Sequence, residues 1–119
     1  MLFRSIGATR DGQLMNVNAD TLASHLASAL GAKRLVICGG TSGVFDDAGQ
    51  TIPRLTTRDA AGMIKAGTAN KGMVAKLEAC RAALKHGVGD VVIANGREVK
   101  FETLGDPRAA VRSATQVVR

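Results

Sequence analysis

The chain has 119 residues, of which 45% are hydrophobic and 22% charged, and its formal net charge is +6. This length fits one compact domain, and the hydrophobic content excludes intrinsic disorder. No apolar run approaches the roughly 20 residues that span a bilayer, and the N-terminus has no secretory pattern. We therefore expect a cytoplasmic protein without a membrane partner. The two cysteines, Cys38 and Cys80, lie in apolar segments and are predicted to be reduced core residues.

The positive charge is compatible with two kinds of partner. Nucleic acid is one, but the basic residues are scattered, and the chain has no Trp or Tyr and only three Phe to stack on bases. This composition favours a solvated basic surface, and we expect that the protein has no nucleic-acid partner. The other kind is an anionic small ligand such as a nucleotide.

The first part of the chain alternates extended segments with a helix. Asn18 is predicted to cap this helix and Gly31 to end it. Its leucines recur every four residues, at positions 22, 26 and 30, which predicts one buried face. The short apolar run 34–38 is typical of a buried strand in a parallel sheet. The predicted elements are strands at 2–6 and 14–17, the helix at 19–30 and the strand at 34–38.

The second part begins with a glycine-rich loop and a tight turn at 46–49. Thr56 is predicted to cap a helix that has Asp59 in its first turn and ends near Gly67. On the next helix Met73, Leu77, Cys80 and Leu84 share one face. The predicted elements are helices at 57–67 and 72–86, strands at 90–94 and 98–102, and a final helix from Asp106 and Pro107.

This order of elements predicts one α/β domain over residues 1–119. We expect a layered, mainly parallel sheet with helices on both faces. Ligands of such sheets bind at the carboxyl ends of the strands. Here the segments 39–44 and 95–97 occupy those positions.

Three local patterns are candidates for chemistry. Gly72 at a helix start lets a phosphate approach the backbone, and Lys76 follows one turn later, although spacing alone favours an ordinary exposed lysine. The loop after Cys38 lacks dinucleotide-binding spacing, and either a phosphate cradle or a plain connection fits it. The segment 16–20 holds three short polar side chains, of which capping needs one, so Asp20 is available to hold a lysine. His25 and His86 match no metal-ligand spacing.

These patterns occur together in one known family. Residues 11–97 resemble the C-terminal half of the acetylglutamate kinases, members of the amino acid kinase family. The matching motifs lie at 11–20, 30–32, 42–46, 72–80 and 95–97.

The resemblance implies a kinase that uses ATP, with Mg²⁺ carried by the nucleotide. Its reaction would transfer the γ-phosphoryl group to the side-chain carboxylate of N-acetyl-L-glutamate, or of a similar acidic amino acid, in arginine biosynthesis. It also implies that Lys76 neutralises the transferring group, that Asp20 positions the catalytic lysine, and that Asn16 and Asn18 bind the amino-acid substrate. The implied nucleotide-binding residues are Gly40, Thr41, Ser42, Gly43, Val44, Phe45, Thr68, Ala69, Asn70, Gly72 and Met73.

The chain departs from the family pattern in three respects. Gly39 and Gly40 stand where the family has Thr-Asp, residues 98–119 diverge, and the family's N-terminal half, with a second catalytic lysine, has no counterpart in these residues. We therefore expect a domain that is incomplete alone and pairs with itself or with a separate N-terminal half. Two alternatives are a half of a related aminoadipate-carrier kinase and a non-catalytic nucleotide-binding or interaction module.

Overall fold

The computed structural model describes residues 5–100, 102 and 113–119. Within them lie six strands and three helices, numbered in chain order. They are β1 (Ser5–Ala8), β2 (Leu14–Val17), α1 (Ala19–Ala29), β3 (Arg34–Gly39), β4 (Arg54–Thr56), α2 (Thr57–Ala66), α3 (Lys71–Lys85), β5 (Asp90–Asn95) and β6 (Ala114–Val118). None of these helices is long and apolar enough to cross a membrane.

The main sheet has four strands in the order β3-β5-β6-β4. Strand β3 runs parallel to β5 and β4 runs parallel to β6, whereas β5 and β6 are antiparallel. Strands β1 and β2 form a separate antiparallel hairpin. The predicted α/β fold is confirmed, with one antiparallel pair inside an otherwise parallel sheet.

The three described helices pack on one face of the main sheet, so the predicted covering of the other face by helices stays a prediction. Their core contains Leu77, Cys80 and Leu84 of α3, packed with Val91 and Ile93 of β5. The face predicted for α3 is thereby confirmed. The opposite face carries a smaller cluster of Val92, Ala94 and Ala114. The final helix predicted from Asp106 lies outside the described residues, as do residues 2–4 of the first predicted strand.

The helix starts follow the local sequence. The Asn18 side chain accepts a hydrogen bond from the Thr21 N–H and caps α1. Thr56 and Asp59 form a capping box at the start of α2. The Thr56 hydroxyl and N–H both donate to the Asp59 carboxylate and hold the pKa of Asp59 below its ordinary value. Gly67 ends α2 with a φ of 70°, a left-handed conformation that favours glycine.

The buried face predicted for α1 is wrong. Leu22, Leu26 and Leu30 are 46%, 56% and 74% exposed, and the buried residues of this helix are Ser24 and Ala27. Helix α1 packs against α3, and the residues that α1 buries, Ser24 and Ala27, are small. The leucine row is consequently turned away from the described core.

Two further predictions need correction at strand ends. Strand β3 lies at the sheet edge, where Ile37 is its one buried residue, so Cys38 is exposed and does not belong to the core. The strand predicted over 98–102 is wrong for its described residues 98–100. The chain turns there because the N–H groups of Glu98 and Val99 both donate to the Asn95 carbonyl oxygen.

Strands β4 and β6 are not predicted from the sequence. Strand β4 has three residues, too few for a periodic signal. Strand β6 carries Thr115, Val117 and Val118, residue types that favour strands, and it lies in the middle of the sheet.

A polar network joins three strands at the end of the sheet away from Gly39 and Asn95. Arg34 donates to both carboxylate oxygens of Asp90, at 2.8 and 2.5 Å, and Gln116 donates to the same carboxylate at 2.7 Å. Burial alone would raise the pKa of Asp90. The hydrogen bonds from Arg34 and Gln116 and the Arg34 charge outweigh burial and hold this pKa below its ordinary value.

We expect Asp90→Asn to lower the free energy of unfolding at pH 7 by about 1.5–3 kcal/mol, because it weakens charge-assisted hydrogen bonds. The folded-state pKa of Asp90 is lowered, so this contribution is complete above about pH 4 and is lost as the pH falls through the folded-state pKa. Urea unfolding of both proteins at pH 7 and pH 3 should show the difference shrinking in acid. A difference that stays constant with pH would contradict this account.

Candidate functional site

An ion pair joins the first turn of α1 to α3. The Lys76 Nζ atom lies 2.9 Å from Asp20 Oδ2, although the two residues are 56 positions apart in the chain. The two side chains are 22% and 19% exposed. The ammonium group is therefore held in a fixed place and still open to a ligand from one side.

Lys76 crosses the carboxyl end of β3. A Cβ atom at Gly39 would lie 3.2 Å from the Lys76 Cε atom, so glycine leaves room for the lysine stem. Gly39 is opposite Asn95 in the parallel pairing of β3 and β5, and the Gly96 N–H donates to the Gly39 carbonyl oxygen at 3.0 Å. Segments 39–44 and 95–97 thus meet at the carboxyl ends of β3 and β5.

The glycine-rich loop, residues 40–45, is fixed at several points. The Ser42 hydroxyl donates to the Glu98 carboxylate at 3.0 Å, and the Thr41 hydroxyl donates to the Gly43 carbonyl oxygen. Inside the protein, the Val44 N–H donates to the Thr115 hydroxyl at 2.8 Å. Neither Glu98 nor Thr115 is among the site residues predicted from the sequence, because each lies in a segment that is predicted to form a different secondary structure.

A cavity of about 360 Å³ opens beside this loop. It brings Phe45 together with Thr68, two predicted nucleotide-binding residues from different segments. Gly62 and Ala66 of α2 form part of its wall and leave space because their side chains are small. Thr68 also donates to the Met63 carbonyl oxygen at 3.3 Å, which orients its hydroxyl.

The start of α3 lies one turn before Lys76. The Asn70 side chain accepts from the Met73 N–H at 2.9 Å and caps the helix. Lys71 and Gly72 are exposed, and their N–H groups have no partner within the helix. Ala69 and Met73 pack against the core. Gly72 leaves this anion-favouring helix end accessible.

The two predicted substrate-binding asparagines lie before α1. Asn18 is used as the helix cap. Asn16 is exposed on β2 opposite Ile6, and among the described residues its side chain has no hydrogen bond. Asn16 precedes Asp20 by four residues in the chain, and its side-chain amide is available to a ligand.

A larger cavity, of about 540 Å³, lies elsewhere. It is lined by Arg81, Lys85 and Arg119 with Thr57 and Glu78. Positions 81 and 85 are on the opposite side of α3 from Lys76. This cavity contains none of the predicted site residues. In the described part of the chain, no group of three or more His, Cys, Asp or Glu could hold a metal ion.

The two cysteines differ in chemistry. Burial, with the negative charge of Asp20, raises the pKa of the Cys80 thiol to about 12, while Cys38 is exposed. We expect a thiol reagent at pH 8 to modify Cys38 in the folded chain and Cys80 only on unfolding, because the thiolate is the reactive form. Mass spectrometry with and without urea checks this. Equal labelling rates in the folded protein would contradict it.

Comparison with known proteins identifies the family. The model of the amino acid kinase family matches residues 3–95. The chain belongs to this family. Its sequence is 46% identical over 104 residues to the acetylglutamate kinase of Azorhizobium caulinodans, covering 85% of this chain and 35% of that one. It is 44% identical over 92 residues to the acetylglutamate kinase of Bradyrhizobium diazoefficiens, covering 77% and 31%.

Solved structures agree on the fold. The smu.665 protein of Streptococcus mutans UA159 has a TM-score of 0.77 at 25% identity, covering 96% of this chain and 40% of that chain. The carbamate kinase of Giardia lamblia bound to AMP-PNP has a TM-score of 0.72 at 14% identity, covering 95% and 36%. The chain spans about a third of the length of the curated relatives it matches.

Proposed function

We propose that this chain is the nucleotide-binding half of an acetylglutamate kinase-type phosphotransferase. It would bind MgATP and supply part of the site that phosphorylates the side-chain carboxylate of N-acetyl-L-glutamate, as a step of arginine biosynthesis in the cytoplasm. The observation that carries the proposal is the Asp20–Lys76 pair at the carboxyl end of β3, in a chain with acetylglutamate kinase relatives.

The proposed role of Lys76 follows from the chemistry of phosphoryl transfer. A carboxylate oxygen of the acceptor attacks the γ-phosphorus, the bond to the ADP oxygen breaks, and an acyl phosphate and ADP result. Negative charge on the transferring oxygens must be neutralised, and a preorganised ammonium group does this effectively. Asp20 accepts a hydrogen bond from Lys76 and so holds the ammonium in position.

Two features support a nucleotide site near the glycine-rich loop and the start of α3. The exposed Lys71 and Gly72 amides at the start of α3 favour a phosphate, and the cavity beside Phe45 and Thr68 has room for the nucleoside. The amino acid kinase family implies that Mg²⁺ would be carried by the nucleotide phosphates. When bound, Mg²⁺ would neutralise part of the phosphate charge.

An exposed apolar surface supports a partner half. Ile6 and Leu14 on the hairpin are 67% and 73% exposed, and the α1 leucines 22, 26 and 30 are also exposed. A two-stranded hairpin is marginally stable on its own in water. We propose that a separate N-terminal kinase half covers this surface and supplies the second catalytic lysine, with a second copy of the chain as the other candidate occupant.

We expect Lys76→Ala to weaken MgATP binding to the chain by less than roughly 10-fold. In a complex with an N-terminal half, it should lower kcat by roughly 100- to 1,000-fold with little change in the KM for acetylglutamate, because the group acts mainly in the transition state. Calorimetry and steady-state kinetics measure the two effects. The isolated chain should not turn over acetylglutamate.

Lys85→Ala is the matched control for Lys76→Ala. It removes the same charge from the same helix, but Lys85 faces the cavity that contains Arg81 and Arg119. Both activity and binding should remain at the level of the unmodified chain. An active complex that is indifferent to Lys76→Ala would refute the catalytic role of that lysine.

The exposed surface predicts association. In sedimentation velocity the chain should self-associate as its concentration rises, or form a complex when the N-terminal half is added, because burying these exposed apolar side chains is favourable. Leu26→Glu should prevent either event, whereas Gln50→Glu, in an exposed turn, should not. A chain that stays monomeric over a wide concentration range, also with the N-terminal half present, would contradict the proposed partner.

A further inference from the structure

Thr115 is a buried polar residue in the middle of the main sheet. It has no exposed surface. Its hydroxyl accepts a hydrogen bond from the Val44 N–H at 2.8 Å and donates one to the Ile52 carbonyl oxygen at 2.7 Å. Val44 lies near the end of the glycine-rich loop, and Ile52 follows the turn after it. One hydroxyl therefore binds the chain on both sides of that turn, within the connection from β3 to β4.

The loop backbone also lies directly against Thr115. A Cβ atom at Gly43 would overlap the Thr115 hydroxyl oxygen and lie 2.7 Å from the Thr115 backbone nitrogen. Gly43 has a φ of 96°, which a residue with a side chain rarely adopts. Position 43 therefore needs glycine for two reasons, the close approach of the loop to β6 and the positive φ.

The Thr115 hydroxyl is needed because the buried Val44 N–H must have a hydrogen-bond acceptor. Val44 is 1% exposed, so its N–H has no access to water. Among the described residues, the Thr115 hydroxyl is the acceptor that the Val44 N–H has, at 2.8 Å. A valine at position 115 would have nearly the same shape but would leave this buried donor without an acceptor.

We propose that Thr115 is a positioning residue for the nucleotide loop 40–45. Its hydroxyl fixes the Val44 amide, and this fixes the place where the next residue, Phe45, enters the wall of the 360 Å³ cavity. The expectation that Thr115 affects nucleotide affinity rests on the proposed function. The expectation that Thr115 holds the loop in position rests on the hydrogen bonds alone.

Two variants separate the hydroxyl from its methyl group. Thr115→Val keeps the shape and removes the hydrogen bonds, while Thr115→Ser keeps the hydrogen bonds and removes the methyl group. Gln116→Val is the control for general weakening of β6, because Gln116 contacts Asp90 and not the loop. Each protein is examined without nucleotide by amide hydrogen exchange, and then with MgADP by calorimetry.

In Thr115→Val we expect the Val44 amide to exchange roughly 10- to 100-fold faster, relative to the Ile93 amide of the same protein. MgADP affinity should fall by about 10-fold, the change that a displaced loop contact implies. Thr115→Ser should resemble the unmodified chain in both measurements. Gln116→Val should speed exchange at Val44 and Ile93 alike.

The inference is overturned if Val44 and Ile93 accelerate equally in Thr115→Val, which would mean that Thr115 serves stability only. It is also overturned if folded Thr115→Ser loses the protection of Val44, which would assign the effect to methyl packing. If Thr115→Val does not fold, Thr115→Ser decides alone. Failure of the unmodified chain to bind MgADP would refute the proposed function, while the exchange data would still decide the role of Thr115 in the loop.

Discussion

The pairing of β6 with both β5 and β4 holds the main sheet together. Strand β4 has no other partner among the described strands, and its chain continues directly into α2 and then to the start of α3. The position of Thr68 beside the cavity therefore depends on a strand near the end of the chain. The same strand carries Thr115, which fixes the loop on the other side of that cavity. A segment without any predicted site residue thus sets the geometry around the candidate site.

The candidate site is assembled from segments that are distant in sequence. Asp20 and Lys76 are 56 residues apart and meet because α1 and α3 pack against each other. Gly39 admits the lysine stem over the end of β3. The arrangement supplies a fixed positive charge next to a helix start. These are the elements that phosphoryl transfer requires, since it depends on positioning and charge more than on covalent chemistry.

Local features of the fold could be predicted from the sequence, and features that depend on distant partners could not. The caps at Asn18 and Thr56 and the buried strand β5 are encoded by neighbouring residues, and the structure confirms them. The burial of the α1 leucines was predicted wrongly, because periodicity shows that a face is apolar but not what covers it. The contact between Asp20 and Lys76 follows from the family resemblance, and the catalytic role of this pair stays a prediction. The proposed role of Thr115 could not be predicted from its neighbours in the sequence, because it depends on a hydrogen bond from Val44, 71 residues earlier in the chain.

An NMR titration of the isolated chain with MgADP tests the central claim most directly, because backbone amide shifts report the location of binding at low affinity. The account predicts saturable shifts that are concentrated at residues 40–45 and 68–73 and at Lys76, with the amides around Arg81, Lys85 and Arg119 unaffected. Shifts concentrated in that second cavity, or no saturable shift at millimolar nucleotide, would contradict it.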